Sequence, residues 1–211
     1  MKKNRNQLLC RYKEVITLSE KLSCMIADFL IKDNAISEKD YEIYKYGFEL
    51  LVYSLEQAIF LLVLGVFMKQ LWITVVFLAV FTSLRRYTGG YHANTRVGCT
   101  AATAGFYMAV LVLVVLVQDF IYRPGIVASY ILFYWIVFFG YVPVEHKDKP
   151  MSDGQKKRSR KKALILSVVY MVIALLIYPY SDIVGYGIVV TMFITAVSVI
   201  IQGKRRIEGN D

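Results

Sequence analysis

The chain has 211 residues, 57% of them hydrophobic and 19% charged, with a mean hydropathy of +0.49. A soluble domain carries about a quarter charged residues in alternating patterns, whereas here the apolar residues come in unbroken blocks, which points to an all-α polytopic membrane protein. The net charge of +9 does not indicate nucleic acid, because the basic residues sit at the edges of the apolar blocks, where membrane topology puts them.

Residues 8–31 place Leu8, Tyr12, Val15, Leu22, Ile26 and Phe29 at intervals of three, four or seven, with charged residues largely between them. Such a stripe suits an amphipathic helix in the headgroup plane or capping a bundle, and it is too charged to span. Cys10 and Cys24 fall on or near its apolar side and read as buried structural thiols. Lys32 to Ile36 reads as a turn, and Ser37 followed by Asp40 as a helix N-cap. From there one long helix is expected through Tyr41 and Tyr44 into the first apolar block, 48–68, with Glu42, Glu49 and Glu56 recurring every seven residues on one face. Glu49 and Glu56 fall at or inside membrane depth, where a carboxylate faces the bundle interior or water.

Lys69-Gln70 makes a tight connection to the second block, 71–84, whose fourteen residues cover only about 21 Å of a bilayer core of about 30 Å. Either the helix continues through Arg85 and Arg86, whose side chains snorkel, or the polar stretch dips into the membrane. The remaining blocks are 99–117, 126–142, 163–178 and 183–201, which brings the candidate spans to six. Arg123-Pro124-Gly125 and Pro179 to Asp182 read as turns. The expected organisation is a single membrane domain over 1–211: an amphipathic region 1–36, a six-span bundle 37–203 with a basic loop 143–162, and a basic tail 204–211. With both termini cytoplasmic, twenty-three of the 25 Lys and Arg lie inside and only Lys69 and Arg123 outside, which orients the bundle.

The stretch from Arg85-Arg86-Tyr87-Thr88-Gly89-Gly90 through Tyr91-His92-Ala93-Asn94-Thr95 to Arg96-Val97-Gly98-Cys99 gathers a histidine, a cysteine, an adjacent glycine pair and three arginines at the cytoplasmic boundary. A thiol attacks as thiolate, a form favoured near cations and helix N-termini; if Asn94 or Thr95 caps the third span, Cys99 falls in its first turns. Seven residues of continuous helix would hold His92 and Cys99 about 10 Å apart along the axis, so the segment has to break and fold back. Gly89, Gly90 and Gly98 supply the backbone freedom for this. His146 is the only other histidine and there is no HExxH pattern, so neither metal nor cofactor is expected.

Arg85-Arg86, Gly89-Gly90, His92 and a cysteine seven positions later, followed by a Lys-rich loop beginning Val142-Pro143-Val144-Glu145 and reaching Lys149-Pro150, resemble the accessory gene regulator B family. These are membrane cysteine endopeptidases that process quorum-sensing propeptides in Gram-positive bacteria. The resemblance implies His92 as general base, Cys99 as nucleophile, and a short membrane-associated propeptide that loses its C-terminal part. Arg85, Arg86 and Gly90 match the family motif and fit a structural role as well as a catalytic one. The resemblance names no group that orients His92; Glu49 and Asn94 are the candidates. The charges of the loop, among them Lys147, Lys149, Lys156, Lys157 and Arg158, are accounted for by topology and anionic lipid, or grip an acidic segment of the propeptide. The rivals are a peptide exporter built on Glu49 and Glu56, and a non-catalytic scaffold. Membrane lipid is the other expected partner, nucleic acid is not, and nothing in the sequence decides between a monomer and a homodimer.

Overall fold

The computed structural model describes residues 18–33, 35–37, 39–89, 95–117, 123–144 and 151–207. Among them seven helices form and no strand: α1 (Leu18–Lys32), α2 (Tyr41–Phe67), α3 (Leu71–Thr88), α4 (Arg96–Val117), α5 (Arg123–Tyr141), α6 (Asp153–Ile177) and α7 (Asp182–Ile207). Five of these, α2 to α5 and α7, are long and apolar enough to cross a membrane. The chain is an all-helical membrane protein.

Contacts divide it into two compact units, Met1–Phe60 and Leu61–Asp211, with the boundary inside α2. In the first unit, α1 turns Ser19, Ser23, Cys24 and Ala27 inward and leaves Leu22, Met25, Ile26 and Phe29 exposed. The larger apolar side chains thus form a free face, as suits a helix resting on lipid, while the small residues pack. Cys24 is buried but disulfide-bonded, not the free thiol expected of it; Cys10 lies outside the described residues. The buried Tyr41 hydroxyl bonds the Asp28 side chain. The cap of α2 falls at Asp40, not Ser37: the Asp40 carbonyl accepts from Tyr44 N–H at 3.0 Å, and the Ser37 hydroxyl bonds the Asp40 carboxylate at 2.7 Å. From there α2 runs unbroken into the first apolar block, as the sequence predicts.

The second unit begins with a tight α2/α3 hairpin through Lys69, whose φ is +56°. Gly65 sits so close to α3 that an added Cβ would lie 2.0 Å from the Thr74 hydroxyl oxygen. The helix α3 continues through both arginines to Thr88, which settles the choice the sequence left open. Its eighteen residues reach about 27 Å, nearly the whole hydrocarbon thickness.

The centre of this unit is α7, with 72% of its apolar window buried against 17–39% in the other four spanning helices. One apolar cluster joins α7 to α3 and α4 through Phe77, Phe81, Tyr107, Tyr186 and Val190. Another joins it to α3, α5 and α6 through Leu84, Tyr134, Phe138, Ala163, Ala174, Met192 and Val199. The α7 face that packs on α3 carries Gly187, where a Cβ would lie 3.1 Å from Ile73. Thr191, Thr195 and Ser198 are fully buried, each donating to a carbonyl of its own helix at 2.7–2.8 Å. Small hydroxylated residues are what membrane helices use to approach closely.

Two sequence expectations need correction here. Arg123-Pro124-Gly125 form the first turn of α5, a position where a proline's missing N–H costs nothing. The second half of the basic loop is also helical: Ser152 caps α6 in a reciprocal box with Gln155, at 3.0 and 3.4 Å. Its charged first ten residues make α6 less apolar than the five spanning helices. Its later part nevertheless runs antiparallel to α3 and α5. Lys162 stacks 5.6 Å over the Tyr87 ring, the Tyr170 hydroxyl meets Ser83 at 2.8 Å and donates to the Ala79 carbonyl at 3.0 Å, and Tyr134 hydrogen-bonds Ser167. The six-span reading is therefore compatible with the bundle, α6 being its least apolar member.

Candidate functional site

The polar motif lies between the end of α3 and the start of α4, and both ends are built by identifiable caps. The end of α3 is closed by Gly89, with φ +76° and ψ −169°, whose N–H donates to the Arg85 carbonyl at 3.1 Å. Only glycine takes that backbone conformation without strain. The segment Val142–Val144 lies across this cap. Val144 N–H donates to the Thr88 carbonyl at 3.0 Å, and a Cβ on residue 89 would meet the Val144 carbonyl oxygen at 2.3 Å. The Thr88 hydroxyl is buried and bonds the Leu84 and Gly89 carbonyls at 3.1 and 2.9 Å.

Helix α4 opens on Thr95, whose hydroxyl accepts from Gly98 N–H at 3.1 Å while its carbonyl accepts from Cys99 N–H at 3.0 Å. Of the two caps the sequence offered, Thr95 is the one seen, and it sets Cys99 at the end of the first turn. The Cys99 thiol is free and half-buried. Gly98 is an ordinary helical residue and not a hinge; of the glycines proposed for that role, Gly89 has the positive φ and Gly90 lies outside the described residues. Helix α3 ends at Thr88 and α4 begins at Arg96, so the helix that carries Cys99 does not continue upstream of the Thr95 cap; the fold-back expected of His92 falls on residues outside those described.

The level of Cys99 in the bundle follows from the α3/α4 register. Thr74 meets Tyr107 at 2.6 Å, the Phe77 ring lies tilted against Tyr107 at 5.4 Å and Phe81 against Phe106 at 5.7 Å, and Arg85 reaches Thr103 at 3.4 Å. The two helices run antiparallel, the contacts moving back from Tyr107 to Thr103 on α4 as they advance from Thr74 to Arg85 on α3. Cys99 lies one turn of α4 before Thr103, whose hydroxyl donates to its carbonyl at 2.9 Å. Arg85 is half-buried, its guanidinium 5.5 Å above the Phe81 ring, whereas Arg86 is exposed. The structure thus brings together Arg85 and the Cys99 backbone around Thr103, which the motif reading passed over. Its signal in the sequence is the four-residue spacing from Cys99, which puts both on one helix face.

Of the other candidates, His92, Asn94 and Gly90 lie outside the described residues, as do Lys147 and Lys149. Glu49 is half-buried in the first unit. Lys156, Lys157 and Arg158 occupy the first turns of α6, where Lys156 pairs with Asp153 at 4.0 Å and the other two are exposed. A groove of about 350 Å³ lined by Met68, Gln70, Met108 and Leu111 among others sits at the opposite ends of α3 and α4 from Cys99. It offers no chemistry beyond one amide.

A family model described as accessory gene regulator B matches residues 23–200, from within α1 almost to the end of α7. No curated protein and no solved structure matches the chain. With both caps, the thiol and the helices that carry them inside the matched stretch, the chain belongs to the accessory gene regulator B family.

Proposed function

We propose that this chain is a membrane cysteine endopeptidase that removes the C-terminal part of a short autoinducer propeptide and closes the remainder into a ring. Family membership ties it to quorum-sensing propeptide processing. The observation that carries the finer reading is the free thiol of Cys99 on the capped first turn of α4, at the end of the short connection that contains His92. His92 is three residues from Gly89 and three from Thr95, and three residues reach at most about 11 Å. The chain length thus allows the pairing that the mechanism needs.

In this mechanism His92 takes the Cys99 proton and the sulfur attacks the scissile carbonyl. The C–N bond breaks, the imidazolium protonates the departing amine, and an acyl thioester remains on Cys99. A cysteine or serine side chain of the retained peptide then attacks that carbonyl, releasing the Cys99 thiol and forming a thiolactone or lactone. Exchange between thioesters is nearly balanced in energy, whereas making the first from an amide is uphill, so removal of the cut fragment pulls the sequence forward. A site at the lipid boundary limits competing water. Arg85, Arg86 and Gly90 support the site, and Asn94 is the candidate to orient the imidazole.

The inside-positive distribution sets both termini and this site on the cytoplasmic face, with α6 as the fifth crossing. The test is purified protein in lipid nanodiscs with synthetic propeptide, read by mass. Cys99→Ala and His92→Ala are expected to leave the peptide intact, and hydroxylamine is expected to release an acyl adduct from wild-type protein. Cleavage by Cys99→Ala would end the proposal. The exporter reading keeps one observation: the buried Glu56 carboxylate oxygen Oε1 has no hydrogen-bond partner. Transport lost with Glu56→Gln but kept with Cys99→Ala would favour it.

A further inference from the structure

We propose that Thr103 is a positioning residue for the nucleophile, acting with Arg85 as a clamp that holds the first turn of α4 against the last turn of α3. The inference rests on the reading of Cys99 as the nucleophile. Arg85 Nη1 donates to Thr103 Oγ1 at 3.4 Å, and the Thr103 hydroxyl donates in turn to the Cys99 carbonyl at 2.9 Å. The hydroxyl's single proton is committed to that carbonyl, so its lone pairs face the guanidinium, and a hydroxyl that accepts from a cation donates more strongly. The chain runs one way, from a permanent charge through a hydroxyl to the backbone of the nucleophilic residue.

A threonine bonded to the carbonyl four residues back is common in helices and by itself only bends them slightly. Here the oxygen also receives a charge from the neighbouring helix, in a place where Thr103 is 3% exposed. Arg85 is itself steadied, stacked over Phe81 on its own helix. Together with Thr74 and Tyr107 further along, the pair brackets the aromatic layer of Phe77, Phe81 and Phe106. Axial slip between α3 and α4 is resisted at both ends of that layer.

The site needs such a clamp because a helix start is its least constrained part. The first N–H groups have no intrahelical acceptor, and the Cys99 turn is tied at its start by the Thr95 cap and the bond from Cys99 N–H to the Thr95 carbonyl. Holding the Cys99 carbonyl fixes the peptide plane beside the thiol, and so the direction from which sulfur approaches the scissile carbonyl. Thr103 touches neither substrate nor thiol.

The test uses full-length protein in nanodiscs with synthetic propeptide. Thr103→Val keeps the shape and removes the hydroxyl. It is expected to lower kcat about ten- to a hundredfold, the scale of a misplaced reacting group, with KM within about twofold. Thr103→Ser is expected to restore kcat. Arg85→Lys, whose point charge lacks the guanidinium's reach and fork, is expected to reproduce the kcat loss, and the double variant to be no worse than the poorer single one. Wild-type kcat in Thr103→Val, a change in KM alone, or failure of Ser to rescue would overturn the clamp. Should the Val variant not fold, Arg85→Lys decides: an unchanged kcat rejects the proposal. Cys99→Ala in the same assay separates the two ideas. If it still cleaves, the nucleophile reading fails; if it is inert while Thr103→Val is normal, only the clamp fails.

Discussion

Replacing Gly89 by alanine is the sharpest test of how the site is held. At φ +76° and ψ −169° an alanine carries backbone strain of about 1–3 kcal/mol. Its Cβ, 2.3 Å from the Val144 carbonyl oxygen, has to push the 142–144 segment away by roughly 1 Å. That displacement breaks the 3.0 Å bond from Val144 N–H to the Thr88 carbonyl, a further loss of about 1 kcal/mol. The sum is about 2–4 kcal/mol, or about thirty- to several-hundredfold in the folding equilibrium. Gly105→Ala is the matched control. It lies in the interior of α4 with nothing within 4 Å of its Cβ direction, and the same substitution there is expected to stabilise by about 0.5–1 kcal/mol. Reversible unfolding in mixed micelles, followed by circular dichroism, measures both. A Gly89→Ala protein within about 0.5 kcal/mol of wild type would refute the cap and the strap together.

The other expectations are smaller or concern binding. Tyr107→Phe removes the 2.6 Å contact with Thr74 but leaves the Thr74 hydroxyl bonded to the Gln70 carbonyl. The loss should be only about 0.6–1.5 kcal/mol in the same titration, and more than about 3 kcal/mol would mean that the pair does more than join two helices. Neutralising Lys156, Lys157 and Arg158 together should raise KM for a propeptide with an acidic tail and flatten its salt dependence; an unchanged KM would leave these charges to topology and lipid. Cysteines placed at 69 and 157 in a cysteine-depleted protein should react with an impermeant maleimide from opposite sides of sealed vesicles, and labelling from one side would refute the orientation.

What could be read directly from the chain were the features set by local chemistry. The apolar blocks located every spanning helix, because hydropathy reports depth in lipid, but not every end: α6 starts ten residues before its block and α7 runs six residues past its own. The spacing of His92 and Cys99 required a break, and one of the two cap residues weighed for α4 is the cap observed. Neighbours were harder to see. The α7 block is as oily as the others, and only the spacing of Thr191, Thr195 and Ser198 marked it as the helix the rest surround. On α1 the apolar stripe was found but assigned to packing in the capping alternative, whereas small residues pack and the stripe stays free, since in lipid an exposed apolar face is no penalty. The helical start of α6 was hidden by charge, which signals a loop only where Ser152 and Gln155 are not read together. Thr103 escaped because its acceptor role depends on an arginine eighteen residues away.

The buried, hydroxyl-lined α7 has a consequence for assembly. It follows α3, α4, α5 and α6 in the chain yet separates and joins the two clusters they form. A ribosome feeding the membrane therefore releases four helices before the one they close upon, and until it arrives their inward faces have only lipid or each other to meet. Quality control in the bilayer has its opportunity in that interval, and lesions near the carboxyl end of α7 should be felt throughout the structure while those on the rim stay local.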